Sequence, residues 1–181
     1  MAVKMGASVV GDITASTHVV VTKMKRTSKL MCALALGKFM VSPKWITSSV
    51  KRGSWNSPDT FILKDSKFEK QFGMSLSESL RISRARQCAG EGGVLSGKSV
   101  FASLQIKLPR DDLKNMIESS GGKLLGAMPA EFSDSVICIA CKEDLSVAKE
   151  LRSVGYEVHV VEIILSAIMN QKIDYSHTLD S

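Results

Sequence analysis

The run Arg26-Thr27-Ser28-Lys29 is the part of this sequence best suited to hold an anion. Thr27 belongs to the residue types that cap helices, and a helical stretch from Ser28 to Leu36 ends at Gly37, so Lys29 falls in a first turn. Free backbone N–H groups and the positive end of the helix dipole then lie beside its ammonium. A phosphoserine, with about −1.5 to −2 charges at neutral pH, suits such a place. For an arbitrary basic helix start the default is solvated charge, and Lys23 and Lys25 are read that way. Other candidates are weaker. Cys138 and Cys141 have a C-x-x-C spacing, but Val136-Ile137-Cys138-Ile139 reads as a buried strand with no second pair, which favours buried thiols over zinc. His18 and His159 lie in or beside strands with no catalytic partner at readable spacing, which favours structural histidines. No Walker-type loop, metal-spaced cluster or nucleophile with a readable base is present, so no enzyme activity and no cofactor is expected.

The elements that must position this run are set by a chain of 181 residues, enough for one large domain or two small ones. Hydrophobic content of 44% and charged content of 23% are near the globular norm. No apolar run reaches the roughly 20 residues of a membrane span, and no secretory signal is visible at the start. The four cysteines lack the spacing of a disulfide scaffold, which points to a reducing compartment. The net charge of +6 is uneven: residues 1–70 hold 12 Lys and Arg against 4 Asp and Glu, so the basic half should face an anionic partner.

The chain reads as two copies of one unit. Val19-Val20-Val21, the helix from Ser28, Phe39-Met40-Val41 and a helix opened by Ser42-Pro43 through Trp45, Ile46 and Val50 alternate strand and helix. Val136–Ile139, Leu145–Leu151, Val158–Val160 and Glu162–Met169 repeat that order, with His18 matched to Val136 and Trp45 to Ile163, each 118 residues on. Such alternation implies parallel sheets with helices on their faces. Before Gly121-Gly122 the second unit has a strand, Ser99–Ala102, and an amphipathic helix, Asp111–Ser119. Only five residues precede the matching Gly6-Ala7, so the first unit is expected to lack an initial strand and helix, on the order of 20 residues. Ser75 with Glu78 forms a capping-box pattern for a linker helix, and Gly90, Gly92 and Gly93 mark a flexible stretch.

Thr17-His18-Val19-Val20, Lys25-Arg26-Thr27-x-Lys29, the Gly37 turn, and Ser42-Pro43-x-Trp45 with Gly53 resemble the second half of a BRCT repeat. Gly121-Gly122 resembles that family's glycine pair, and Ile163 stands where a large apolar residue is usual. The resemblance implies an α/β fold of two BRCT repeats, each a small parallel β-sheet flanked by helices: a first repeat at residues 1–66, incomplete at its start, a linker with a helix at 67–95, and a second repeat at 96–181. Trp45 is then expected in the core. Arg26-Thr27-x-Lys29 and Phe72-Gly73-Met74-Ser75-Leu76 most resemble the checkpoint-mediator subgroup, whose members read the phosphorylated tail of an H2A-class histone in the nucleus.

By that resemblance Lys29 and Thr27 bind the phosphate, and Arg26 binds the peptide main chain or its C-terminal carboxylate. The fork geometry of guanidinium suits a carboxylate. Two or three charged hydrogen bonds of roughly 1.5–3 kcal/mol each, less ordering costs, imply micromolar-range recognition. A Ser or Thr hydroxyl just after the first strand completes the pocket in the family, and that segment is expected to be missing from unit one. Two other readings use the same features: a phosphate-independent protein scaffold, and a module whose basic half contacts DNA phosphates without sequence preference.

Overall fold

The computed structural model describes residues 1–180. The first unit runs β1 (His18–Val20), α1 (Ser28–Ala35), β2 (Phe39–Val41) and α2 (Lys44–Arg52), after a 3-10 turn at Ala2–Met5. Next come α3 (Ser66–Phe72) and α4 (Leu76–Ala89). The second unit runs β3 (Ser99–Ala102), α5 (Arg110–Ser119), β4 (Lys123–Leu124), β5 (Val136–Ile139), α6 (Leu145–Ser153), β6 (Val158–His159) and α7 (Glu162–Asn170). Its four strands form one parallel sheet in the order β4-β3-β5-β6, whereas β1 and β2 form a parallel sheet of two. A helix lies between each pair of parallel partners that is consecutive in the chain, as parallel strands require.

The strand register corrects the repeat alignment by one residue. Val41 and His159 hold the same place, each bridged antiparallel by a later segment at Ile62 and Thr178. Val20 pairs with Val41 and Ile139 with His159, so Val20 corresponds to Ile139, 119 residues on. His18 therefore matches Ile137 rather than Val136, and one extra residue sits between β1 and β2. A shift of one matters in a strand because it exchanges the two faces.

The segment between the units is more ordered than its glycines suggest. It includes a further helix, α3, which Asp65 caps by accepting from the Phe68 amide at 3.1 Å. Ser75 caps α4 through the Glu78 amide at 3.4 Å, but the Glu78 carboxylate turns to Arg81, and Glu69 accepts from the Leu76 amide at 2.7 Å. The expected flexible stretch is packed at Gly93, where a Cβ would lie 2.2 Å from the Ser120 carbonyl oxygen. Leu95, fully buried, donates its amide to that same carbonyl at 2.8 Å.

α1 is buried nearly all round. Met31, Cys32, Ala33, Leu34 and Ala35 are all inaccessible, and the helix packs against α4, α5 and α7 as well as against β2. One core thus runs through both units, including Leu80 of α4, Leu113, Met116 and Ile117 of α5, and Ile164 and Ile168 of α7. A second, smaller core under α6 fills the other face of the larger sheet with Phe101, Leu151, Tyr156 and Val158. Cys138 is enclosed there, and burial pushes its thiol up to about 12, so it stays protonated.

The other face of the small sheet carries a column of rings. His18 stacks on Trp45 at 4.5 Å and on Phe39 at 5.0 Å, and Trp45 stacks on Trp55 at 4.7 Å. The Trp45 indole N–H donates to the Asn56 carbonyl at 2.9 Å, so Trp45 is a core residue, as expected.

Two outcomes follow. Leu34→Ala should cost about 2–5 kcal/mol and lower the urea midpoint of both units together, because the cavity opens in their shared core. Separate transitions for the two units would contradict a single core. His159 is buried, its Nδ1 has no partner, and desolvation holds its pKa below the ordinary 6.5 although Glu157 lies 3.8 Å from Nε2 and His177 is nearby. His18 shifts the same way, again by burial. A histidine kept neutral in the fold contributes stability above about pH 6.5 that is lost as pH falls through its folded-state value. The urea midpoint should fall between pH 7.5 and 5.5, and His159→Gln should flatten that slope; an unchanged slope would remove His159 as its source.

Candidate functional site

The run Arg26-Thr27-Ser28-Lys29 follows a pinned loop. Met24 is buried, and its amide donates to Asp65 Oδ2 at 3.0 Å, which fixes the loop after β1 to the start of α3. The amides of Phe68 and Met24, with Lys23 and Lys67 beside them, hold the Asp65 carboxyl below the usual carboxylate range. Arg26 follows, half-buried. Its Nη2 donates to Glu162 Oε2 at 2.5 Å, and its guanidinium lies over the Phe72 ring, 4.8 Å from the centroid. It thereby joins the first unit, α3, and the first turn of α7 in the second unit. Glu162 suits that turn because the helix dipole favours an acid there.

Thr27 occupies the N-cap position of α1 in extended conformation, φ −85° and ψ 149°, but its hydroxyl makes no capping hydrogen bond. The sequence expectation is met in position and not in that bond. The helical ladder starts with the Met31 amide donating to the Thr27 carbonyl at 2.9 Å. The amides of Ser28, Lys29 and Leu30 are thus those of a first turn, without intrahelical acceptors. Thr27 is exposed, and its hydroxyl lies beside these amides.

Lys29 is exposed, with Nζ 3.4 Å from the Gly11 carbonyl. It borders a cavity of about 290 Å³ between the Gly11–Thr14 segment and α5, with Ser28, Asp112 and Asn115 in its walls. Ser28 Oγ reaches the Asp112 carbonyl at 3.4 Å, a second link between the units. Asp12 is also in that wall, held below the usual carboxylate range by hydrogen bonds from Thr14. Arg26 opens elsewhere, into a depression of about 340 Å³ lined by Lys23, Lys25, Lys67, Phe68 and Phe72. The start of α1 therefore separates two depressions, one with Lys29 and one with Arg26. An extended ligand crossing the start of the helix would meet both.

Glu162 and Phe72 are the parts of this site that the sequence reading misses. In the sequence Phe72 stands out only within the family resemblance and Glu162 only as the start of a helix. Their contact with Arg26 spans 46 and 136 residues respectively, and no local spacing announces it.

The two halves match BRCT family profiles separately. Residues 2–63 match the profile described as Regulator of Ty1 transposition protein 107 BRCT domain, and residues 93–177 match the profile described as BRCT domain. The chain belongs to the BRCT family and carries two such domains in tandem. BRCT domains are protein-interaction modules, not enzymes. Among its relatives is mediator of DNA damage checkpoint protein 1 from Homo sapiens, 29% identical over 168 residues, which are 93% of this chain and 8% of that protein. The chain thus spans a small fraction of that relative. In fold it is similar to the crystal structure of the Brc1 BRCT5-BRCT6 domains from S. pombe, with a TM-score of 0.80 at 19% identity over 98% of this chain and 89% of that one. It is also similar to Rtt107p in its complex with phosphorylated histone H2A, with a TM-score of 0.50 at 14% identity over 91% and 76% of the two chains.

The Arg26–Glu162 pair is partly exposed, so it should orient Arg26 more than it stabilises the fold. A double-mutant cycle with Arg26→Ala and Glu162→Gln, read by urea unfolding, should give a coupling of less than about 1 kcal/mol. A coupling above about 3 kcal/mol would make the pair a structural bond holding the units together.

Proposed function

We propose that this chain is a phosphopeptide-binding adaptor of the DNA damage response, acting in the nucleus and reading a phosphoserine close to a C-terminal carboxylate, as in a phosphorylated H2A-class histone tail. The observation that carries the reading is the placing of Arg26, Thr27 and Lys29 around the start of α1, where the two BRCT domains meet. Lys29, the Thr27 hydroxyl and the first-turn amides hold the phosphate; Arg26, braced by Glu162 and Phe72, takes the carboxylate or the main chain a few residues further on. The likeness to a checkpoint mediator and to a chain solved with phosphorylated histone H2A supports the same reading.

Charge alone would not give selectivity at this place. Asp12 and Asp112 stand in the wall of the Lys29 cavity, so a diffuse polyanion gains little there, whereas a phosphate that accepts directed hydrogen bonds from the ammonium and amides gains most. The phosphate contact is therefore short-ranged and specific. Non-specific DNA binding would instead show a steep salt dependence with no need for peptide phosphorylation.

Lys29→Glu should abolish binding of a phosphorylated tail peptide in calorimetric titration, by setting like charge beside the phosphate. Equal affinity of mutant and wild type would remove Lys29 from the site. Amidating the peptide C-terminus removes one formal charge and one acceptor oxygen, and affinity should fall about tenfold to a hundredfold, the worth of one charged hydrogen bond. Arg26→Ala should weaken the free-acid peptide and leave the amidated one nearly unchanged. Equal weakening of both peptides, with no effect of amidation, would mean that Arg26 reads main chain and the ligand need not be a protein terminus.

A further inference from the structure

The two units build one corner of the repeat from different residues. Their hydrogen bonds align it position by position: Lys38 donates to the Ala33 carbonyl as Tyr156 does to that of Leu151, and Leu63 donates to Met40 as Leu179 does to Val158. Gly37, Phe39 and Asp59 of the first unit therefore correspond to Gly155, Glu157 and Tyr175 of the second. In the first unit this corner holds a guanidinium. Arg84 of α4 passes close to Gly37, lies over the Phe39 ring at 4.2 Å from its centroid, and sets Nη1 3.9 Å from Asp59 Oδ1. One ring and one carboxylate receive the charge.

In the second unit the ring and the carboxylate exchange places. Glu157 stands where Phe39 does, and Tyr175 where Asp59 does. With Phe132, Asp134, Ile137 and His159 they line a cavity of about 300 Å³. Its wall is held in place: the Tyr156 hydroxyl accepts from the Ser133 amide at 3.1 Å and donates to the Glu131 carbonyl at 2.6 Å, and the Phe132 ring packs on that of Tyr156 with centroids 5.2 Å apart. Phe132 and Tyr175 are nevertheless 54% and 45% exposed, so two rings stay open to a ligand.

The charges select the ligand. Among the described residues, neither the Glu157 nor the Asp134 carboxylate pairs with a Lys or Arg, and no cation lies over the Phe132 or Tyr175 ring. Lys98, the cation tied to this wall, donates instead to the Asp134 main-chain carbonyl at 2.9 Å. His159, 3% exposed, closes the floor, and its Nδ1 has no hydrogen-bond partner. With the proton assigned to Nε2, which is 3.8 Å from Glu157 Oε2, Nδ1 is an acceptor. Two carboxylates, an unpartnered acceptor and two rings suit a flat cation on an apolar stem.

We propose that the second unit carries a guanidinium-binding site, in which Glu157 and Asp134 take the charge of an arginine side chain while the Phe132 and Tyr175 rings take its plane and its stem. The site shares no residue with either depression beside α1, so it stands or falls without the phosphate reading.

The probe is a tripeptide of arginine between two glycines, capped at both ends, set against its citrulline counterpart, which keeps the shape and loses the charge. Titrated into the isotope-labelled chain, the arginine peptide should shift the amides of Glu157 and Tyr175 and the ring of Phe132 saturably, and the citrulline peptide should leave them in place. Glu157→Gln changes a largely exposed residue, so the rest of the spectrum should persist while affinity falls about tenfold. Phe132→Ala keeps both carboxylates and should weaken binding about threefold. Glu150→Gln, an equal change of net charge on exposed surface of α6, should have no effect. Three results would each overturn the proposal: no saturable shifts with the arginine peptide, equal shifts with citrulline, or equal weakening by Glu150→Gln and Glu157→Gln, which would reduce the effect to diffuse attraction.

Discussion

Everything near the candidate site depends on the burial of α1. Its middle and last turns, Met31 to Ala35, are enclosed by β2 on one side and by α4, α5 and α7 on the others. A helix enclosed in this way can turn polar only at its ends. The N-terminal end is where Arg26, Thr27 and Lys29 fall, so the same packing that joins the two BRCT domains fixes the direction of the first-turn amides. In the proposed function, stability and recognition are coupled through one helix. The carboxylate of Glu162 and the ring of Phe72 belong to elements held against that helix, and they extend the coupling to the Arg26 side chain.

The charges around the helix start are arranged by sign and by side. On the Arg26 side, Lys23, Lys25 and Lys67 share a depression with Asp65, whose carboxylate is occupied by the Met24 and Phe68 amides. On the Lys29 side, Asp12 and Asp112 temper the field of a single ammonium. The proposed function thereby divides long-range attraction from short-range selection. In that reading the basic side would draw an anionic chain in, through an attraction that salt screens over about 8–10 Å. The Lys29 side would discriminate by hydrogen bonds, which screening affects less.

Much of this was legible in the sequence because it is local. The alternation of Val, Ile and Leu runs with helical stretches, the Gly37 stop and the Ser75 cap are written within a few residues of where they act, and so is the placing of Lys29 in a first turn. At Gly37, which has φ 64°, a Cβ would also lie 2.8 Å from Arg84 Cγ, so the turn glycine serves both backbone and packing. What the sequence hid was contact at long range or of one-residue fineness. The match of His18 to Val136 slipped by one because the extra residue between β1 and β2 leaves the apolar pattern intact; only pairing partners reveal it. Gly93 reads as flexible by composition and is fixed by the Ser120 carbonyl from another element. Thr27 has the right type for a cap, yet capping depends on a rotamer that residue identity does not specify.

If the first turn of α1 holds a phosphate at the junction of the two domains, as proposed, its amide chemical shifts report the binding. In a titration of the isotope-labelled chain with a phosphorylated tail peptide, the Ser28, Lys29 and Leu30 amides should move downfield and saturate together, while the unphosphorylated peptide leaves them in place. Equal movement with both peptides, or shifts confined to residues away from the start of α1, would contradict it.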